Sequence, residues 1–192
     1  MTNPIAKFSQ WLAEAKKEPT LTEPTAMSVA TATLAGVPSV RILLLKEVDN
    51  RGFVFYTNME SRKSDELLEN PKAALGFYWM PMERQVRVEG VVERVSDAQA
   101  DAYFATRARD SQIGAWSSQQ SRILPQRVDL LQAISNNMAR FEGREVPRPP
   151  HWSGWRVVPH KIEFWQQGDF RLHERELFTL VDGKWVVTNL YP

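Results

Sequence analysis

The chain contains no cysteine among its 192 residues. Disulfide bonds, thiolate nucleophiles and cysteine-ligated metals are therefore excluded. Histidine is scarce as well: His151, His160 and His173 are far apart, and none lies in an H-E-x-x-H or similar ligand pattern. We therefore expect no metal site.

An excess of charge of one sign is missing, and so is a long apolar run. The 24 lysines and arginines nearly balance the 23 acidic residues, which gives a net charge of +1. Such a chain has no basic field of the kind that drives nucleic-acid binding. The densest apolar stretch, Ile42 to Leu45, is far too short to cross a bilayer, and no secretory signal is recognisable at the N-terminus. We expect a cytoplasmic protein that binds neither nucleic acid nor membrane.

What is present is an ordinary globular composition. Hydrophobic residues make up 43% of the chain and charged residues 24%, which argues against global disorder. There is no internal repeat, no low-complexity segment and no linker. We therefore expect a single domain over residues 1–192, with a sizeable core.

Short β-compatible runs joined by tight turns dominate the sequence. Asp182-Gly183, between two of these runs, is a strong hairpin signal. Helical patterns begin at Pro4, with Asn3 as the predicted cap, at Ser61, at Ser96, which opens a capping box, and at Pro125. The last pattern has an apolar stripe made of Val128, Leu131, Ile134 and Met138. Short connections favour antiparallel pairing, so the pattern predicts a mainly β protein (α+β) with peripheral helices around a small barrel. The predicted strands cover residues 27–32, 40–46, 53–57, 73–79, 85–95, 155–158, 162–166, 177–181 and 184–189.

Four groups of residues could carry chemistry, and the first three of them could bind phosphate. In the first, Arg41 and Lys46 bracket an apolar strand. Either both side chains simply reach water at the strand ends, or the strand presents them to phosphate. Side chains of a regular strand alternate between its two faces, and Arg41 has an odd number whereas Lys46 has an even one. A regular strand would therefore place the two side chains on opposite faces, and one shared site would need a bulge.

The second group runs from Thr57 to Lys63, where a strand ends and a helix begins with Ser61 as its predicted cap. A helix N-terminus attracts anions, and Arg62 and Lys63 would add direct charge. Cations in the first turn oppose the helix dipole. This conflict favours a bound phosphate over a merely exposed basic turn.

The third group is Tyr103, Arg107 and Ser111, with Arg109 nearby. Tyr103 and Arg107 are spaced i, i+4 and are predicted to share a helix face, with Ser111 just past the helix end. A phenol, a guanidinium and a hydroxyl can together bind a phosphate dianion. Taken alone, the same residues also fit a helix terminus with cations near its C-terminal end.

The fourth group lies near the C-terminus. After the aromatic stretch 162–166, the residues Arg171, His173 and Arg175 recur at period two, which predicts that they share one strand face. His173 could exchange protons near neutral pH. The alternative is a solvated face paired with Glu163 and Glu174, and we favour the functional interpretation.

These four groups, in this order and spacing, resemble the pyridoxamine 5'-phosphate oxidase family over nearly the whole chain. The most specific match is Ile162-Glu163-Phe164-Trp165-Gln166 followed by Arg171-Leu172-His173-Glu174-Arg175, with further matches over residues 107–116 and 55–63. The sequence departs from the usual family pattern at Ala108, where proline is common, and at Asn189, where arginine is usual.

The resemblance implies a split β-barrel that binds FMN, with C-terminal dimerisation and active-site strands from about residue 150. It implies a homodimer with FMN at the subunit interface and a phosphorylated B6 vitamer and O2 as substrates. The implied FMN ligands are Arg41, Ile42, Leu43, Leu44, Leu45, Lys46, Tyr56, Thr57, Arg62, Lys63, Gln85, Gln120, Ser121, Trp165 and Arg175. The implied substrate ligands are Lys46, Tyr103, Arg107, Ser111, Arg171, Leu172 and His173, of which Arg171 and His173 are also the implied catalytic residues.

The implied activity is oxidation of pyridoxine or pyridoxamine 5'-phosphate to pyridoxal 5'-phosphate, with a hydride passing to the flavin and O2 being reduced to hydrogen peroxide. Two alternatives remain at this point. One is a related flavin oxidase with another substrate, such as those of phenazine pathways. The other is a module that only stores FMN or pyridoxal phosphate. Presence of Lys46, Tyr103, Arg107 and Ser111 favours a phosphorylated substrate, and Arg171 and His173 argue against mere storage.

Overall fold

Nine β-strands and five α-helices are found in residues 3–192, which the computed structural model describes. The strands are β1 (Ala26–Ala32), β2 (Pro38–Leu44), β3 (Glu47–Asp49), β4 (Gly52–Asn58), β5 (Lys72–Trp79), β6 (Arg84–Arg94), β7 (Trp152–Gln166), β8 (Glu174–Val181) and β9 (Lys184–Asn189). The helices are α1 (Pro4–Ala15), α2 (Arg62–Glu69), α3 (Asp97–Ala105), α4 (Arg109–Ser117) and α5 (Arg127–Arg140).

All nine strands belong to one antiparallel sheet. Seven of them lie in the order β2-β1-β5-β6-β7-β4-β3, and β8 and β9 extend the sheet from β7. The strands at the two ends, β2 and β3, are consecutive in the chain and are separated only by Leu45 and Lys46. The sheet therefore curls back on itself, and the Lys46 N–H donates to the Val54 carbonyl on β4 at 2.9 Å. This curled sheet confirms the predicted mainly β fold with helices outside it.

The long strand β7 connects the curled sheet to the C-terminal hairpin. One edge of β7 pairs with β6, whereas the other edge pairs first with β4 and then with β8. The register shifts at Glu89 and Gly90 of β6, as at a β-bulge, which locally bends and twists a strand. Sequence analysis predicted two strands here, 155–158 and 162–166, and the structure contains one continuous strand.

Helix α1 closes the core of the curled sheet. Its N-terminus is capped as predicted, since Asn3 Oδ1 accepts from the backbone N–H of Ile5 and of Ala6. Phe8 is fully buried, and its ring lies 4.8 Å from the ring of Phe53 and 4.9 Å from that of Phe77. Edge-to-face contacts of this kind add to the stabilisation from apolar burial.

The outer face of the sheet is partly apolar. On β6, Val86, Val88 and Val92 are buried in the core. On β2, by contrast, Val40 and Ile42 are more than half exposed. Their exposure leaves an apolar surface that nothing within residues 3–192 covers.

The helices near the third group differ from the prediction. Helix α3 ends at Ala105, so Arg107 does not share a helix face with Tyr103 and lies in the following loop. Ser111 does not lie past a helix end but in the first turn of α4, which was not predicted. The predicted capping residue of α3 is correct, because Ser96 Oγ accepts from the N–H of Gln99.

Helix α5 forms where it was predicted, but its apolar stripe is only partly covered within residues 3–192, where half-buried Ile134 packs against the core cluster of Phe104 and Trp152. No α5 residue belongs to the core, and Val128, Leu131 and Met138 are all more than half exposed. The predicted hairpin turn is present, with Asp182 and Gly183 both at positive φ. No helix within residues 3–192 has the length and apolarity needed to cross a membrane.

Candidate functional site

A buried lysine lies at the start of α2. Lys63 is 6% exposed, and its Nζ donates to Thr57 Oγ1 at 3.0 Å, Ser61 Oγ at 2.9 Å and Gln120 Oε1 at 2.6 Å. None of these acceptors carries a charge. Burial lowers the pKa of Lys63 to about 8, with a further lowering by Arg41 and a smaller opposing effect of Glu66. A buried cation surrounded by neutral oxygens is suited to bind an anion.

Ser61 occupies the predicted cap position of α2, but its side chain does not cap the helix. Its hydroxyl donates instead to the Asn58 carbonyl at 2.7 Å. The Ser64 hydroxyl donates to the same carbonyl at 3.0 Å. These bonds fix the turn between β4 and α2, so that Thr57 and Lys63 face each other.

The two predicted arginines of this region meet at a buried carboxylate. Glu66 accepts from Arg62 Nε at 2.9 Å and from Arg41 Nη2 at 3.4 Å. Burial alone would raise the pKa of Glu66, but hydrogen bonds from Ser39, Thr31 and Arg62 lower it to about 2. The structure therefore brings Arg41, Arg62 and Lys63 together around one anionic side chain.

A cavity of about 330 Å³ opens beside Thr57. Arg107 and Ser111 of the third group line it together with Thr57 of the second group and with Gln120, which accepts from Lys63. Arg107 Nη1 is buried and has no hydrogen-bond partner within residues 3–192. Burial lowers the pKa of Arg107, and Tyr103 opposes this shift. Buried donors normally have partners, so the unpaired Nη1 marks a position where a ligand oxygen fits. The remaining lining residues are Leu43, Tyr56, Asn58, Gly114, Ala115, Ser118 and Trp152.

Stacked aromatic rings form one wall of this site. The Tyr56 ring lies 4.1 Å from that of Tyr103 and 5.2 Å from that of Trp152, nearly parallel to both. The Arg107 guanidinium lies 4.8 Å from the Trp152 ring, a cation–π contact. Burial raises the pKa of Tyr56, and so does Glu47, which accepts from its hydroxyl. The stack holds Tyr103 and Arg107 beside each other although they do not share a helix.

A second pocket, of about 550 Å³, is formed by the turn before β8. Trp165, Arg171 and His173 line it, and the Trp165 and His173 rings are 4.6 Å apart. Arg171 belongs to a 3₁₀ turn, Asp169–Arg171, in which Phe170 and Arg171 both have positive φ. The prediction that Arg171, His173 and Arg175 share one strand face is therefore wrong, because β8 begins only at Glu174.

Three predicted FMN ligands lie in one row across the sheet. Gln85 on β6 pairs with Trp165 on β7, which pairs with Arg175 on β8. Cross-strand partners share a face, so these three side chains lie side by side. Arg175 Nε donates to Glu163 Oε1 at 2.8 Å, and its Nη1 donates to the Tyr191 carbonyl at 3.0 Å.

Other predicted residues are dispersed. Lys46 and Ser121 are exposed, and Ser121 has a positive φ. Lys46 lies beyond the end of β2, so the alternation of side chains along a strand does not prevent it from sharing a site with Arg41. Leu45 is part of the core. Ile42 and Leu172 are exposed and Leu44 is half-buried.

The two pockets have no lining residue in common. Within one chain, the structure thus joins the second and third groups but leaves Arg171 and His173 apart from them.

Sequence analysis missed Glu47, Glu66 and Trp152. The i, i+4 spacing of Arg62 and Glu66 on a helix was a signal that could have revealed their pairing. Nothing local marks Trp152 or Glu47, which reach the site only through the pairing of β4 with β7 and β3.

Two family models match the chain. The model described as pyridoxamine 5'-phosphate oxidase matches residues 13–136. The model described as pyridoxine 5'-phosphate oxidase C-terminal dimerisation region matches residues 152–192. The chain belongs to the pyridoxamine 5'-phosphate oxidase family. This membership confirms the resemblance inferred from the sequence motifs.

Similar proteins agree with membership of the pyridoxamine 5'-phosphate oxidase family. A pyridoxine/pyridoxamine 5'-phosphate oxidase of Zymomonas mobilis is 55% identical over 99% of this chain and 98% of its own length. One from Myxococcus xanthus is 53% identical over 99% of the chain and 92% of its length. Among solved structures, PhzG from Burkholderia lata, in complex with tetrahydrophenazine-1-carboxylic acid, has a TM-score of 0.95 and 32% identity and covers 100% of this chain and 94% of its own.

An FMN-binding protein from Nostoc punctiforme, described as related to pyridoxamine 5'-phosphate oxidase, has the same fold. Its TM-score is 0.76 at 15% identity, covering 96% of this chain and 97% of its own. The likeness confirms the predicted split-barrel fold.

Proposed function

We propose that the protein is an FMN-dependent oxidase that converts pyridoxamine or pyridoxine 5'-phosphate to pyridoxal 5'-phosphate and reduces O2 to hydrogen peroxide. One observation carries the proposal: Arg107, with a buried and unpaired Nη1, lines the same cavity as Thr57 and Gln120, which bind Lys63. Two sets of phosphate-binding groups are therefore adjacent, as a phosphorylated coenzyme and a phosphorylated substrate in contact would require.

The residues around Lys63 fit the phosphate of FMN. Lys63, Arg62 and Thr57 would bind it, and all three offer N–H or O–H donors: Arg62 and Lys63 at the start of α2, and Thr57 near the end of β4. Gln120 already accepts from Lys63 and could turn its carboxamide toward the ribityl chain. When bound, FMN supplies the redox chemistry by accepting a hydride from the substrate.

The residues around Arg107 fit the phosphate of the substrate. Arg107 and Ser111 line the cavity, and Tyr103 stacks on Tyr56 at its edge. Lys46 is exposed and follows the cavity-lining Leu43 by three residues. Binding a remote phosphate restricts the orientation of the reacting end of the substrate, which lowers the entropic cost of reaction.

The proposal includes a homodimer, because one chain does not unite its two pockets. The C-terminal match is to a family region described as a dimerisation region. Within residues 3–192, the apolar side chains of Val40 and Ile42 lie uncovered on the outer face of the sheet. In the dimer, Arg171 and His173 of the partner subunit would complete each site.

Arg171 and His173 would act on the pyridine ring end of the substrate. Arg171 is held by a backbone turn with positive φ rather than by a regular strand, and such strained conformations are common at functional sites. His173 Nδ1 accepts from the Gly168 N–H at 3.3 Å, so Nε2 would carry the proton of the neutral ring and is the atom available to a substrate.

Two measurements test this function. Purified protein should be yellow with flavin absorbance bands. On anaerobic mixing with pyridoxamine 5'-phosphate, these bands should bleach, and pyridoxal 5'-phosphate should form. Unbleached flavin would indicate a storage module, and a colourless protein that takes up no FMN would contradict the proposal.

The similarity to PhzG makes a phenazine-type substrate the competing function. The ligand named for that structure is a carboxylic acid, whereas Lys46, Tyr103, Arg107 and Ser111 form a set suited to phosphate. Replacing Lys46→Met together with Arg107→Ala should raise the KM for pyridoxamine 5'-phosphate by more than about tenfold, since two charged ligands are lost. The exposed pair Lys17→Met and Arg51→Ala is the matched control and should leave KM unchanged. An unchanged KM in the first double variant would rule out the proposed substrate site.

A further inference from the structure

Glu66 is the one acidic side chain in direct contact with the basic residues of the proposed FMN phosphate site within residues 3–192. Its side chain is 5% exposed. Oε1 accepts from Arg62 Nε at 2.9 Å, and Oε2 accepts from Ser39 Oγ at 2.5 Å, from Thr31 and from Arg41 Nη2. A carboxylate is expensive to bury, so its presence beside a predicted anion site calls for a reason.

We propose that Glu66 is a positioning residue for phosphate: it fixes Arg41 and Arg62 and thereby makes the site selective for a phosphorylated flavin. The inference rests on the proposed function and deepens it. Glu66 does not itself touch the phosphate, because both of its oxygens are already occupied by donors from β1, β2 and α2.

The geometry at Arg62 supports this role. Glu66 binds only the Nε of Arg62, and in the described part of the chain the two Nη atoms form no hydrogen bond. The guanidinium is planar, so holding Nε restricts where the Nη atoms can point. Arg62 is 61% exposed and would otherwise sample many rotamers. Glu66 thus leaves the Nη pair oriented and free to bind a phosphate.

Arg41 is fixed from the same side. Its Nη1 donates to Thr31 Oγ1 at 2.7 Å and to the Val29 carbonyl at 3.1 Å, and its Nη2 donates to Ser39 Oγ at 2.7 Å. Both hydroxyls donate in turn to Glu66. Without the carboxylate, these two hydroxyls would lose their acceptor and the arginine would lose its ordered partners.

The summed charge of Arg41, Arg62, Lys63 and Glu66 also matches that of a phosphate. Arg41, Arg62 and Lys63 contribute three positive charges and Glu66 one negative charge, which leaves a formal +2. A phosphate monoester carries a charge of about −1.5 to −2 at neutral pH. Glu66 therefore brings the site close to neutrality with the ligand bound, and it reduces repulsion among the three cations before binding.

The test compares FMN with riboflavin, which lacks the phosphate, by titrating each flavin into apoprotein and following its fluorescence. The wild type should bind FMN much more tightly than riboflavin. Glu66→Ala should weaken FMN binding by at least about tenfold and change riboflavin binding little. Glu69→Ala, an exposed change on the same helix, is the matched control and should bind both flavins like the wild type.

The direction of the effect separates positioning from simple electrostatics. Removing a negative charge near a phosphate would by itself tighten FMN binding, so tighter or unchanged binding overturns the inference. A loss common to both flavins also overturns it, because that loss would be structural. If Glu66→Ala does not fold, Glu66→Gln takes its place, with a smaller FMN-specific loss expected. A wild type that does not prefer FMN to riboflavin would instead defeat the proposed function.

Discussion

At the scale of single residues, Lys63 shows most clearly that the candidate site lowers the stability of the folded protein. Its ammonium group has been removed from water and is bound only by neutral oxygens. Desolvation of a cation without a counter-ion destabilises the folded state, here on the order of a few kcal/mol. Glu66 is close enough to oppose this effect but does not bind Lys63 directly. A bound phosphate would supply the missing negative charge.

This arrangement predicts a specific pH dependence for the apoprotein. In the folded state the pKa of Lys63 is about 8, below its ordinary value of 10.5. At a pH below both pKa values, Lys63 is protonated in the folded and in the unfolded protein. The full cost of burying its charge then lowers the stability of the folded protein. Between the two pKa values the unfolded chain binds more protons than the folded one, so stability rises with pH, by up to about 1.4 kcal/mol per pH unit. Urea unfolding of wild type and Lys63→Met from about pH 7 to pH 10 measures this rise.

The difference between the two proteins isolates Lys63, since all other groups are shared. The wild type should gain stability relative to Lys63→Met as the pH increases through this window. Equal pH profiles would mean that Lys63 is not desolvated in the folded protein. Lys63→Met should also lose FMN binding, because the buried donor is replaced by an apolar side chain of similar length.

Sequence patterns predicted those site residues whose chemistry is unusual for their position. Arg62 and Lys63 were identified because cations oppose the dipole at a helix start. Arg107 and Ser111 line one cavity, although the helix geometry predicted for them was wrong. Glu66 was missed because an acidic residue on a helix is ordinary until the fold buries it against β1 and β2.

At the scale of secondary structure, short helices and irregular turns set the limit of prediction. Helix α4 begins after Ala108, whose side chain cannot cap it. The local sequence therefore contains no capping residue that would predict this helix. The turn at Phe170 and Arg171 places bulky residues at positive φ, which L-residues rarely adopt. Alternation of residues on a strand cannot anticipate such a turn, and it therefore suggested a common face for Arg171 and Arg175.

The register shift between β6 and β7, where the extra residue His160 lies on β7 opposite Glu89 and Gly90, gives a prediction for this scale. A Cβ atom added at Gly90 would lie 2.3 Å from the Val158 carbonyl oxygen and 2.9 Å from Val157 Cγ1. Because the first contact is with backbone, β6 and β7 would have to separate where the sheet bends. We expect Gly90→Ala to reduce the free energy of unfolding by about 2–4 kcal/mol, measured by urea denaturation.

Gly76 provides the matched control on the neighbouring strand β5. A Cβ atom there would meet only Ser28 Cβ, at an ordinary 3.8 Å. Gly76→Ala should leave stability unchanged or raise it by about 0.5 kcal/mol, through the lower entropy of the unfolded chain. Equal effects of the two substitutions would show that the bulge does not require glycine.

At the scale of the whole molecule, the single chain has surfaces and pockets that its own core does not explain. The helix α5 exposes Val128 and Leu131, and β2 exposes Val40 and Ile42. The sequence pattern indicated an apolar stripe on α5 but could not indicate that most of this stripe is left uncovered within residues 3–192. Periodicity reports which face is apolar, and only the three-dimensional arrangement reports what covers it.

Mixing two inactive variants tests whether each site is shared between subunits. Arg107→Ala and Arg171→Ala should each abolish most activity as homodimers, because the two residues line different pockets of one chain. In a heterodimer with one subunit of each kind, one site would contain both substitutions and the other neither. The heterodimer, purified with two different affinity tags, should therefore recover about half of the wild-type kcat. If Arg107 and Arg171 of the same chain instead formed one site, every site would carry one substitution, and the heterodimer would stay as inactive as its parents.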